Sequence, residues 1–99
     1  MANKNITVLA RIKAKGGMEK RLRQQALSLV APTRQEAGCI NYDLHQNIDD
    51  DSMFMFYEIW MSREALDEHL QKPYLKAFVD ETDTLLAEPL DVTIWEMIS

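Results

Sequence analysis

Between Met53 and Trp60 the sequence reads Met-Phe-Met-Phe-Tyr-Glu-Ile-Trp, and no other stretch restricts the fold as strongly. Aromatic and β-branched side chains suit a pleated strand, where successive side chains point to opposite faces. Phe54, Phe56, Glu58 and Trp60 therefore share one face, and Met53, Met55, Tyr57, Ile59 and Met61 share the other. A sheet with helices on one side and water on the other alternates apolar with polar residues. This strand does not, so it needs a cover on both faces. The final run, residues 90–98, repeats the pattern, with Leu90, Val92, Ile94, Glu96 and Ile98 against Asp91, Thr93, Trp95 and Met97. The chain's own helices cover one face. A second copy is the expected cover for the other, because monomers rarely expose so large an apolar patch. A symmetric homodimer of this kind buries on the order of 2,000 Å2 in total.

The remaining elements follow from periodicity. Ile6, Val8, Ala10 and Ile12 alternate with Thr7, Leu9, Arg11 and Lys13 as a first strand, which Gly16-Gly17 ends. Met18, Leu22, Ala26, Leu29, Val30 and Thr33 recur at helical spacing, and Pro32 predicts a kink in that helix. Gly38 is expected to close it. Cys39–Gln46 is a second strand, with Ile40 and Tyr42 alternating, and Asn47–Ser52 is an acid-rich hairpin loop serving solubility. Ser62 caps a short helix carrying Ala65, Leu66, His69 and Leu70. Pro73 opens another, with Leu75, Phe78, Val79, Thr82, Leu85 and Leu86 along one stripe, and Pro89 stops it. The order β-α-β-β-α-β, with the second helix in two pieces, predicts an α+β ferredoxin-like fold. Its four-stranded antiparallel sheet carries helices on one face.

Ninety-nine residues hold one domain. A formal net charge of −5 argues against a nucleic-acid partner. The basic residues from Arg11 to Arg23 alternate with apolar ones and read as a solvated strand edge and helix face. A single cysteine permits no internal disulfide, and neither a signal peptide nor a membrane span is seen, so a cytoplasmic location is the default.

Chemistry has few candidates. There is no glycine-rich phosphate loop, no paired-cysteine motif and no His-Glu-x-x-His, so no metal site is expected. Cys39 reads as a small buried thiol. His69, on the stripe of Ala65 and Leu66, faces inward, either as a satisfied core group or as a proton acceptor at a cavity wall. Glu58 stands in an apolar strand and needs a partner. The plainer reading pairs it with Arg11, Arg63 or another basic group, and the other makes it a cavity-lining base. Trp60, Tyr57, Tyr42 and Tyr74 are core rings first and aromatic-ligand contacts second.

Three motifs then resemble one family. They are Glu36-Ala37-Gly38-Cys39-Ile40-Asn41-Tyr42 at the second strand, Glu58-Ile59-Trp60 on the third, and Ser62–His69 with the pattern S-x-E-A-L-x-x-H. Together with the later Pro73–Phe78, they make nearly the whole chain similar to the antibiotic biosynthesis monooxygenase domain, and within it to the small quinol monooxygenases. The resemblance implies a dimeric α+β barrel in which each subunit keeps a cavity between sheet and helices. It also implies oxygenation of a quinol-like or polyphenolic aromatic by O2 without metal, flavin or haem. A deprotonated electron-rich ring can itself reduce O2, so the protein need only bind the ring, exclude water and take a proton. On that reading His69 is the proton acceptor, Trp60, Tyr57, Tyr42 and Tyr74 line the ring site, and Asn41 or Glu58 orients the ring.

Two departures narrow the resemblance. Many members have Pro-His where this chain has Pro73-Tyr74, which passes any role of that histidine to a phenol. The positions that carry Asn, His and Trp in haem-degrading relatives hold Ala10, Val79 and His69, which disfavours haem degradation. The alternatives are an isomerase or degrading enzyme for a small phosphorylated signalling metabolite, for which Arg11 is the one inward cation expected, and a non-catalytic ligand-binding dimer.

Overall fold

The computed structural model describes residues 5–99. Four strands, β1 (Ile6–Lys13), β2 (Cys39–Gln46), β3 (Met53–Trp60) and β4 (Asp91–Glu96), form one sheet in the order β2-β3-β1-β4. Every pairing is antiparallel, with Val8 opposite both Glu58 and Ile94. Five helical segments intervene: α1 (Glu19–Leu27), α2 (Val30–Arg34), α3 (Arg63–Leu70), α4 (Pro73–Asp80) and α5 (Thr82–Leu85). This is the ferredoxin-like β-α-β-β-α-β fold that the periodicity predicts.

The helices pack on the face carrying Val8, Ala10, Ile12, Tyr42, Phe54, Phe56, Glu58 and Trp60, all of them buried. Leu22, Ala26, Leu29, Leu66, Phe78 and Leu85 close the core from above. Met53, Met55, Tyr57 and Ile59 turn to the opposite face and are only half-buried. All of β4 is exposed, on its helix-facing side as well as on the outer one, so the chain's own helices leave uncovered a strand of which they were expected to cover one face.

Both helical regions are more broken than the periodicity suggests. The first divides at Ser28-Leu29, where the Leu29 amide bonds back three residues to the Ala26 carbonyl. Pro32 explains the position: it has no N–H to donate, and its ring crowds the carbonyl of Ser28, four residues earlier. The second region is three segments, not two. It ends at Leu85, ahead of Pro89, because Leu86 leaves helical geometry and bridges Ala14. The Ala87 amide then donates to the Lys13 carbonyl at 2.8 Å, so the end of β1 draws this chain away.

Gly38 differs from expectation. Among the described residues only Gly17 has a positive φ, at 89°. Gly38 is needed for close approach instead: a Cβ there would collide with the Cβ of Ala65 in α3. The second strand also breaks its alternation. Cys39 pairs with Trp60 but Asn41 with Ile59, so Ile40 is the extra residue of a β-bulge and is exposed, not inward beside Tyr42. The acidic loop has structure as well: the Asn47 side chain accepts from the amides of Asp49 and Asp50, and Asp50 accepts from the amide and hydroxyl of Ser52.

Candidate active site

Glu36 lies in the turn between α2 and β2, and His69 in the last turn of α3. Their side chains meet in the core. His69 Nδ1 is 2.8 Å from Glu36 Oε2, with side-chain exposures of 3% and 8%. The Tyr74 hydroxyl donates to the same oxygen. A carboxylate can only accept, so this bond requires the proton on Nδ1 and leaves Nε2 as the free acceptor of a neutral ring. The site depends on Ser62, whose hydroxyl accepts from the Ala65 amide at 3.1 Å and starts α3. It depends equally on Gly38, which lets α3 settle against the turn holding Glu36.

The imidazole is packed between rings. Trp60 lies 4.5 Å from it, centroid to centroid, and Tyr42 5.6 Å away nearly edge-on. Trp60 Nε1 in turn donates to Glu58 Oε1 at 2.9 Å. Tyr42 stands directly across from Glu58 in the β2–β3 ladder.

This burial sets the proton affinities. Burial pulls His69 below the ordinary imidazole value, while the bond to Glu36 and its negative charge oppose the shift. Burial pushes Glu58 up to about 7; the Trp60 bond partly counters this and the negative charge of Glu36 adds to it. Burial, with the bond to Glu36 and its charge, raises Tyr74 to about 12. Tyr42 is raised further still, mainly by burial. Burial holds the Cys39 thiol up at about 11, so at neutral pH it is not a thiolate.

Between the sheet and α3–α4 lies a cavity of about 100 Å3, walled by Val8, Ala10, Phe56, Leu66, Leu75 and Phe78 among others. Among the described residues, its polar side chains are Tyr42, Glu58 and His69. The space is on the scale of one small aromatic ring.

Of the residues read from sequence, His69, Glu58 and Tyr42 reach this cavity. Trp60 packs against the His69 ring and bonds Glu58, and Tyr74 bonds Glu36, the partner of His69. Three others lie elsewhere, which corrects their expected places. Tyr57 is on the outer face because it is out of phase with Glu58. Arg11 is on that face too and pairs with Asp91 at 3.1 Å. Asn41, also out of phase with Tyr42, is exposed and donates to Asp43. Arg63 pairs weakly with Asp67, so neither arginine neutralises Glu58, whose partner is an indole N–H. Sequence reasoning missed Glu36 as a site residue, although it begins the first motif. Thr33 is fully buried, with its hydroxyl beside the phenols of Tyr42 and Tyr74. Among the described residues no three His, Cys, Asp or Glu side chains gather to hold a metal ion.

A ferredoxin-like sheet with a buried histidine–carboxylate pair beside an apolar cavity describes a small α+β protein, and comparison with known proteins narrows it. The family model for antibiotic biosynthesis monooxygenase matches residues 5–81. The Synechocystis protein sll1783 is 34% identical over 97% of this chain, which spans 65% of that protein's length. "Putative monooxygenase Rv0793" of Mycobacterium tuberculosis is 34% identical over 90% of this chain and 87% of its own. The solved structure of PA3566 from Pseudomonas aeruginosa has a TM-score of 0.92 at 31% identity, covering 97% of this chain and 96% of that one. The chain belongs to the antibiotic biosynthesis monooxygenase family.

Proposed function

We propose that this protein is a cofactor-independent monooxygenase that oxidises a quinol-like or polyphenolic aromatic with O2. The observation that carries the reading is the His69–Glu36 pair at the wall of a ring-sized apolar cavity. A substrate hydroxyl gives its proton to His69 Nε2, and Glu36 stabilises the imidazolium that forms. The apolar wall leaves the aryloxide poorly solvated and reactive. One electron passes from the ring to O2, and the two radicals join as a carbon–oxygen bond. The peroxide anion takes its proton from the His69 imidazolium, and the hydroperoxide then loses water with the hydrogen of the same carbon, so that one oxygen atom stays on the ring as a carbonyl and the other leaves as water. Glu58, raised by burial to about 7, donates a hydrogen bond to a second oxygen of the substrate when it is protonated.

Oxygen consumption across a panel of hydroquinones tests this. Protein-dependent uptake is expected, with a loss of about 10²- to 10⁴-fold in His69→Ala. Absence of uptake with every hydroquinone overturns it. A phosphorylated metabolite is not favoured, because among the described residues no Lys or Arg lines the cavity and Arg11 lies on the outer face.

The protein is further proposed to act as a homodimer, with the half-buried Met53, Met55, Tyr57 and Ile59 as the covered face. Sedimentation of a stable monomer at micromolar concentration contradicts that assembly.

A further inference from the structure

We infer that the mouth of the His69 cavity is a subsite for a hydrocarbon chain, so that the ligand is a hydroxylated aromatic ring bearing an aliphatic tail. The inference rests on the aromatic-ring reading above and adds what lies beyond the ring.

A contiguous set of exposed large apolar side chains around a pocket marks a binding groove or an interaction surface. Here the three polar side chains are the buried ones: Tyr42 and His69 are 2% exposed and Glu58 5%. The exposed lining is aliphatic: Leu70 at 48%, Val79 at 43%, Leu90 at 36%, Val92 at 46% and Ile94 at 43%. These five come from three separate places, the end of α3, α4, and β4 with the residue before it. They converge because Val92 and Ile94 pair with Ala10 and Val8 and so share the helix-facing side of the sheet. A ring bonded to His69 and Glu58 fills the enclosed space. Any substituent must leave across these aliphatic residues, and with no Lys or Arg among the described residues of the lining an anionic substituent finds no counter-charge there. A hydrocarbon chain is what this path recognises. Each methylene taken from water there tightens binding by up to about fourfold.

The test is calorimetric binding of phenol and of 4-methyl-, 4-propyl- and 4-pentylphenol, followed by oxygen uptake with the matching alkylhydroquinones. Affinity is expected to rise with each carbon, by about two- to fourfold per methylene. Val79→Ser and Val92→Thr should flatten the slope of log affinity against chain length, a readout that general loss of binding does not move. Phenol binding with no dependence on chain length overturns the tail subsite and leaves the oxygenase reading standing. So does a slope unchanged in both variants. If sedimentation of Val79→Ser shows that a second copy had covered the rim, the subsite is likewise overturned. A slope that flattens as expected, with no oxygen uptake from any alkylhydroquinone, upholds the subsite and rejects the oxygenase reading.

Discussion

Two buried carboxylates, Glu36 and Glu58, flank the same imidazole–indole pair, and their surroundings set them apart. Glu36 receives two donors on one oxygen, the His69 ring and the Tyr74 hydroxyl. Glu58 receives one, from Trp60, and otherwise faces apolar walls. The number of donors decides what each acid can do. Glu36 is held in place and holds His69 in one tautomer, while Glu58 sits where the gain or loss of a proton is nearly balanced at neutral pH.

The comparison can be sharpened most at Glu58. Its proton affinity in the fold is raised from 4.5 to about 7. Its contribution to stability is therefore complete below pH 4.5 and is lost as the pH rises through 7. Relative to Glu58→Gln, the natural protein should lose up to about 3 kcal/mol across that window. Urea unfolding of both chains at pH 4.5 and pH 8 measures it, and parallel pH curves contradict the assignment. His69, lowered by burial, has the opposite sign: its contribution falls as the pH drops below 6.5.

Next in size is Gly38→Ala, which drives a methyl into Ala65 and pushes α3 from the turn carrying Glu36. A loss of about 1–3 kcal/mol is expected in thermal or urea unfolding, with turnover falling as the His69–Glu36 bond lengthens. Glu36→Gln should cost about tenfold in turnover, or 1.4 kcal/mol. Its signature is in the pH profile. Glu36 raises the His69 proton affinity, so without its charge the acid limb of the rate should move to lower pH. A limb that stays in place shows that Glu36 has no hold on the ring. The smallest effect belongs to Ser62→Ala, about 1 kcal/mol of stability from the lost cap of α3, read as a shift in urea midpoint.

Much of this was legible in the sequence. The two-residue period of β3 assigns Phe54, Phe56, Glu58 and Trp60 to one face, and the helical spacing of Ala65, Leu66 and His69 turns the histidine inward. Position along the chain does not tell which side of the sheet is covered, or whom a side chain meets across it. Tyr57, Arg11 and Asn41 were therefore grouped with the cavity by chemical type, while phase places them on the outer face. Glu36 was hidden for a different reason. It lies in a turn, where no period assigns a face, and the residue it serves is 33 positions away.

The bulge at Ile40 makes the site sensitive to chain length. In a regular strand Cys39 and Tyr42, three residues apart, face opposite ways; one surplus residue lets both meet the helices, opposite Trp60 and Glu58. Deleting Ile40 restores ordinary pleating and turns Cys39, with the Glu36 turn just before it, out of phase with Tyr42. Insertions and deletions are therefore best tolerated in the 47–52 hairpin loop and worst at this one position on the strand's leading edge.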